Sequence, residues 1–188
     1  PPCPPGQPGG AYTPLSEGDL NAIYDTALWL LEELGMGEVP DNLAKTLLAS
    51  GAIDNGRGRF LLPRTLVQDA VDQASKVFAL HGRDASRSIT VGGDAVHFGT
   101  GGAAVQTLDL DSGLYRPSTL QDLHDFTRLQ DTLENVSWFT RCCVATDVPD
   151  NFDLDVNTVF ALVANTTKPV ATSFTLAEHV DPIVELLD

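Results

Sequence analysis

From about residue 118 the chain alternates helical and strand periods with short connections, and this constrains the fold more than any other feature. Ser118 opens a helix through about Leu133, with Leu120, Leu123, Phe126 or Thr127, and Leu129 or Gln130 facing inward. Residues 136–144 read as a strand, 153–165 as a helix, 169–175 as a strand and 176–188 as a helix. Counting Val96–Gly99 as the first strand gives three βα units. Such a repeat implies a parallel sheet with right-handed crossovers. Three strands cannot close a barrel of eight. Left open, they expose apolar edges and faces. The expected fold class is therefore α/β: an N-terminal helical extension with β-hairpins, then the first three βα units of a (β/α)8 TIM-type barrel, cut short. A small open α/β sheet, complete in itself, is the alternative.

Upstream the pattern is different. Leu20, Ile23, Ala27, Leu31 and Leu34 recur at helical spacing over 15–34. Ser16 with Asp19 resembles a capping box, and Gly35 is a natural stop. A second helix is predicted over 41–50, and Asp54-Asn55-Gly56 marks a turn. Pro63 opens a third helix whose apolar face runs from Leu66 to Val77. Ile89 and Val91, then Gly92-Gly93-Asp94, then Val96 and Phe98 predict a hairpin. A second hairpin spans 105–115 around Asp111-Ser112-Gly113. The expected organisation is a disordered Pro/Gly-rich leader over 1–10, an extension over 11–94 and a partial barrel over 95–188, with Cys3 incidental in the leader.

Acidic residues outnumber basic ones 26 to 11, a net charge of −15. That field repels nucleic-acid phosphates and anionic membrane surfaces. No apolar run approaches the roughly 20 residues that span a bilayer. The N-terminus lacks the charge and the apolar run of a signal peptide. Of the three cysteines, Cys142 and Cys143 are adjacent, which does not suit a disulfide framework. A cytoplasmic protein is expected, self-associated where the edges of a three-stranded sheet need cover.

Four segments resemble the trimethylamine methyltransferase family of corrinoid-dependent methyltransferases, in the family's order and spacing. They are LHGRDASRSITVGGDAVHFG (80–99), DLDSGLYRPSTLQDLHDFTRL (109–129), ATDVPDNFDLD (145–155) and TTKPVATSFT (166–175). The resemblance covers roughly 11–188. It implies a (β/α)8 barrel that takes a methyl group from a methylated amine and passes it to Co(I) of a partner corrinoid protein, binding no cofactor directly. Some members carry pyrrolysine and use trimethylamine; others use quaternary amines such as glycine betaine. The pyrrolysine position lies in a later part of the barrel. VSWFTRCCV (136–144) departs from the small, polar, Gly-containing stretch of trimethylamine enzymes. That implies a different pocket wall, and a quaternary amine such as glycine betaine, or else trimethylamine, is the expected substrate.

Barrel enzymes place their sites at the C-terminal ends of strands. Here those ends are 97–102, 141–147 and 172–175. Gly99-Thr100-Gly101-Gly102, with Ala104, matches part of a dinucleotide fingerprint, but a hairpin follows where a helix is required. The stretch is either a tight turn or a glycine loop leaving room at the mouth, with Gly99 and Gly102 toward the corrinoid face and Thr100 and Gly101 toward substrate. Arg141, Cys143 and Ser173 stand at strand ends as substrate contacts. Adjacent strand residues point to opposite faces, so Cys142 and Cys143 are not expected to share a metal. Asp147 is either a helix or loop cap or a negative charge beside a cationic substrate. Among Trp138, Phe139 and Phe174, Phe174 is the candidate for a cation–π cage. No residue is assigned to catalysis. His124, Arg128 and Lys168 are assigned no chemistry. Two other classes stay open: a non-catalytic binding or assembly module, and a zinc-dependent thiol methyltransferase, which would need further metal ligands and glycines before Cys142.

Overall fold

The computed structural model describes residues 6–187. The described chain divides into two compact units. One is Gly10–Lys76; the other joins the residues before Gly10 to those from Val77 onward. The division falls at 76/77, where a strand begins that pairs downstream.

In the first unit, helix α1 (Glu17–Trp29) starts on Ser16. The Ser16 hydroxyl accepts from Asp19 N–H, and the Asp19 carboxylate accepts from Ser16 N–H, the reciprocal cap the sequence pattern predicts. The last turn widens into a π-turn over Leu30–Leu34. Gly35 then stops it at φ 64, where a Cβ would lie 2.2 Å from the Phe60 carbonyl oxygen. Helices α2 (Asp41–Ala49) and α3 (Arg64–Gln73) follow. Arg59–Leu61 pairs antiparallel with Met36–Gly37 on one side and Ile53–Asp54 on the other. Leu28, Ala52 and Leu62 are the buried apolar residues of this unit.

Helix α3 stops four residues before its predicted end. Ala74 leaves the helical region at ψ 136. Val77–Leu80, a β-branched and aromatic run suited to a pleated surface, then pairs antiparallel with Ile89–Gly92. This corrects the predicted hairpin between 89–91 and 96–98: the first arm has taken an upstream partner. Ala95–Val96 pairs instead with Gln7–Pro8. Residues 7–8 are thus a strand rather than part of a structureless leader. Residues 1–5, with Cys3, lie outside the described residues.

The second unit carries the alternation read from the sequence. A hairpin of Gln106–Leu108 with Tyr115–Pro117 precedes α4 (Leu120–Thr132), and α5 (Asn151–Asn165) packs on α4. A short helix, α6 (Val180–Glu185), follows a 3-10 turn over Ala177–His179, where a longer helix was expected. Three stretches of chain run parallel. Phe139–Thr140 pairs with Val170–Ala171 on one side, and single bridges join Trp138 to Gly99 and Cys143 to Ala104 on the other. The middle stretch is central, as expected of consecutive βα units. The described residues form small sheets and no closed barrel.

The predicted nine-residue strand over 136–144 is broken into short pieces for a local reason. The Thr100 hydroxyl accepts from Thr140 N–H at 2.9 Å and donates to Thr140 O at 2.8 Å. One side chain thereby occupies both backbone groups that a continuous ladder would pair. The core lies on the helix side: Leu123 of α4, Phe139 and Cys143 of the central stretch, and Ala161 and Leu162 of α5 are all buried. Arg116 forks onto both oxygens of Asp122 at 2.6 and 2.7 Å, tying the hairpin to the first turn of α4.

Candidate functional site

The ends of the three parallel stretches converge on an open cavity of about 370 Å³, lined by Gly102, Ala103, Thr140, Arg141, Thr172 and Ser173. Three residues read as site candidates, Gly102, Arg141 and Ser173, meet here from three separate stretches of chain. Arg141 N–H donates to Ala171 O at 3.1 Å, which fixes its backbone. Its guanidinium donates to Ser173 Oγ at 2.9 Å. Arg141 is the one charged residue of this lining, so the cavity is locally positive on an acidic chain. A Cβ placed on Gly101 or Gly102 would meet nothing within 4 Å. Space lies above this loop, which separates it from a glycine forced by packing.

Other candidates fall elsewhere. Gly99 is a packing glycine: a Cβ there would lie 2.1 Å from Cε2 of Trp138. Thr100 is spent on the Thr140 backbone. Asp147 Oδ1 accepts Leu120 N–H at 2.8 Å. It anchors the start of α4, as the cap reading expects. Cys143, expected as a substrate contact, is 1% exposed and packed among the α4 and α5 side chains. The Cys142 thiol beside it, and then burial, raise the Cys143 pKa, while Cys143 lowers that of Cys142. Phe139 is 0% exposed in the core and Trp138 covers Gly99, so neither joins Phe174, which is half-buried. Among the described residues no group of three His, Cys, Asp or Glu side chains could hold a metal ion.

One cluster escaped the sequence reading. Asp155, on α5, accepts from Thr175 N–H and from the Thr175 hydroxyl, each at 2.8 Å, and its Oδ2 lies 2.7 Å from His179 Nδ1. Burial pushes this carboxyl up, but the His179 and Thr175 hydrogen bonds together hold it below the usual carboxylate range. The cluster fixes Thr175, the residue after Phe174. A signal existed: Asp155 shares a helix face with Val159 and Leu162, and an acid on an apolar face needs partners. Asp131 makes a similar anchor at the opposite ends of the strands, accepting from Thr166 Oγ1, Thr167 N and Thr167 Oγ1.

Comparison with known proteins bears on what this arrangement serves. The family model described as trimethylamine methyltransferase matches residues 5–188. A glycine betaine methyltransferase of Desulfitobacterium hafniense (strain Y51) is 29% identical over 125 residues, 66% of this chain and 26% of the relative. A trimethylamine methyltransferase MttB of another strain of that species (DSM 10664 / DCB-2) is 27% identical, over 83% of this chain and 32% of its own length. The MttB of Methanosarcina thermophila is 27% identical over 89% of this chain and 34% of its own length. The chain thus spans about a third or less of the curated relatives it matches. No helix among the described residues is long and apolar enough to cross a membrane.

Proposed function

The chain belongs to the trimethylamine methyltransferase family, and on that premise we propose that it supplies the first strands of a barrel enzyme that demethylates a quaternary amine carrying a carboxylate, a betaine. The observation that carries the substrate class is Arg141, hydrogen-bonded to Ser173, as the one charged residue lining the cavity at the strand ends. A guanidinium there opposes a bare tetraalkylammonium but suits a carboxylate, which it engages by charge-assisted hydrogen bonds. Thr140 and Thr172 add hydroxyls to the same wall. Phe174, at the third strand end, offers an aromatic face to the ammonium at the other end of such a substrate.

A corrinoid presented on a partner protein would supply the Co(I) electron pair for the methyl carbon, the C–N bonding pair staying with the leaving nitrogen. This chain's residues orient the substrate and keep water out. Arg141 and Ser173 fix the carboxylate end, which aims the methylammonium end along one line of approach. The positive charge on nitrogen disappears as the methyl leaves. A wall with limited negative charge therefore avoids over-stabilising the ground state, consistent with Asp147 being occupied by α4. The open space over Gly101 and Gly102 fits the approach of a flat macrocycle.

The test uses the native gene product with cob(I)alamin and a panel of glycine betaine, choline, tetramethylammonium and trimethylamine, following loss of Co(I) absorbance. The expected result is reaction with the betaine, and a rise in KM on Arg141→Ala of about ten- to a hundredfold, the worth of a lost charge-assisted contact. Equal rates with tetramethylammonium, unaffected by the substitution, would remove Arg141 from the reading. No reaction with any amine would leave the binding or assembly alternative.

A further inference from the structure

At the opposite ends of the parallel strands lies a second cavity, of about 220 Å³, whose lining includes Arg87, Ser88, Glu134, Ser137 and Lys168. Its chemistry is unusual for this chain. Only 11 basic residues exist against 26 acidic ones, yet two of the 11 share this cavity. Lys168 is 3% exposed, and its ammonium donates to Gln130 O at 2.6 Å and Leu133 O at 2.7 Å, the last carbonyls of α4 and its exit. An ammonium has three donors, so one remains. Asp131, an acid close enough to act on Lys168, already accepts three hydrogen bonds from Thr166 and Thr167. Burial and then the nearby Arg87 charge push the Lys168 pKa down, and Asp131 only partly offsets them.

Among the described residues Ser137 lacks a hydrogen-bond partner and Arg87 lacks an ion pair, although the Asp84 carboxylate feels the Arg87 charge. The Ser137 hydroxyl belongs to a residue 5% exposed and has no hydrogen-bond partner. Such a group costs about 1–3 kcal/mol unless something satisfies it. Among the described residues the Arg87 guanidinium forms no ion pair. The cavity is therefore lined, from three separate stretches of chain, by Arg87, by Lys168 with one remaining ammonium donor, and by Ser137 with its buried, unsatisfied hydroxyl. The Ser88 hydroxyl accepts Gly82 N–H at 3.1 Å, which leaves its own O–H as a further donor. Glu134 is the opposing charge at the exposed rim.

We propose that this cavity binds a small tetrahedral oxoanion of the phosphate class, held by Arg87, Lys168 and Ser137. Three donors arriving from different directions suit a tetrahedral anion better than a flat carboxylate, which one guanidinium already matches edge to edge. The volume accommodates a phosphate group with a few waters, whose share of liquid volume is about 30 Å³ each. The site lies away from the cavity of the proposed methyl transfer and does not depend on that reading. It ties α4's exit, the entry to the central stretch and the entry to the third at one point.

The experiment is calorimetric titration of the folded chain with inorganic phosphate at constant ionic strength, checked by circular dichroism. Saturable binding is expected. Arg87→Gln weakens it about tenfold or more, as loss of a charge-assisted bond does, and Ser137→Ala weakens it about fivefold, the worth of a neutral one. Glu134→Gln strengthens it. Without phosphate, Ser137→Ala melts no lower than the parent, because the hydroxyl it removes is unsatisfied; with phosphate the parent gains more in Tm than the variant does. A phosphate monoester binding as tightly as phosphate identifies an esterified ligand, whereas exclusion of the ester identifies the free ion; both support the site. Three outcomes overturn it: no saturable heat from folded protein, binding indifferent to Arg87→Gln, or acetate binding as tightly as phosphate.

Discussion

Nδ1 of His179 lies 2.7 Å from Oδ2 of Asp155, joining the turn before α6 to the middle of α5. The Asp155 side chain is 0% exposed, and its other oxygen, Oδ1, is buried without a hydrogen-bond partner. Three donors thus converge on one oxygen. The His179 ring also meets Phe152 edge-on, with centroids 5.2 Å apart. The segment that carries Ser173, Phe174 and Thr175 is consequently held by a single carboxylate from a neighbouring helix.

Replacing Asp155 by Ala leaves Thr175 N–H, the Thr175 hydroxyl and His179 without their acceptor. The expected loss is about 3 kcal/mol of unfolding free energy, within the range for breaking a buried polar or charged pair. Urea denaturation measures it. A loss below about 1 kcal/mol would show that the turn is held by other contacts.

Asp122 predicts an acid limb in stability. The Arg116 guanidinium pulls its carboxyl down to about 2, against burial, with Thr119 N–H and hydroxyl assisting. The folded pKa is below the unfolded one, so this contribution is complete above the ordinary value near 3.8 and disappears as pH falls to about 2. The shift corresponds to about 2 kcal/mol at neutral pH. Asp122→Asn should lose that amount at pH 7 and lose less on acidification from pH 4 to pH 2 than the parent does. Asp155 and Asp131, also held low, keep some slope in the variant. Equal acid slopes for parent and variant would contradict this account.

Gly99 allows the Trp138 indole to lie against the backbone. Gly99→Ala places a methyl 2.1 Å from Cε2 of Trp138, so one of the two must move, at a cost of about 1–3 kcal/mol, as for overpacking. Thermal unfolding of the single variant and of Gly99→Ala with Trp138→Ala tests the pairing. The two costs should be strongly non-additive, because removal of the indole removes the clash. Simple additivity would mean the indole sits elsewhere.

The two adjacent thiols should react at different rates. Cys142 is half-buried with its pKa lowered by the Cys143 thiol; Cys143 is 1% exposed with its pKa raised. Because the thiolate is the nucleophile, brief alkylation of native protein followed by peptide mass mapping should find Cys142 modified well before Cys143. Equal labelling of both would place Cys143 outside the core.

Local signals were readable wherever the relevant partner lay within a few residues. Ser16 and Asp19 cap α1 and Gly35 ends its last turn, whereas α4 is capped by Thr119 with Asp122, one residue beyond the expected Ser118. The alternation after residue 118 correctly anticipated three parallel stretches in consecutive order. Val77–Leu80 shows where this stops. Its apolar run continues the α3 stripe and equally suits a strand, and the availability of Ile89–Gly92 decides between them. In the candidate site, the strand-end rule gathered Gly102, Arg141 and Ser173 around one cavity. It could not distinguish Asp147, committed to Leu120 N–H, from a free carboxylate.

The sequence by itself therefore determined the existence and order of the helices, the cap and stop of α1, the order of the parallel stretches and the family of the chain, because period, capping and motif spacing act over short separations. Only the tertiary structure decided that Thr100 interrupts the central ladder, that Cys143 belongs to the core, that Asp155 reaches 24 residues along the chain to His179, and that Arg87 and Lys168 share a cavity. Those outcomes depend on which side chain meets which across a crossover. Hydrogen bonds and charges are settled within a few ångströms in space, at separations along the chain that no local pattern encodes.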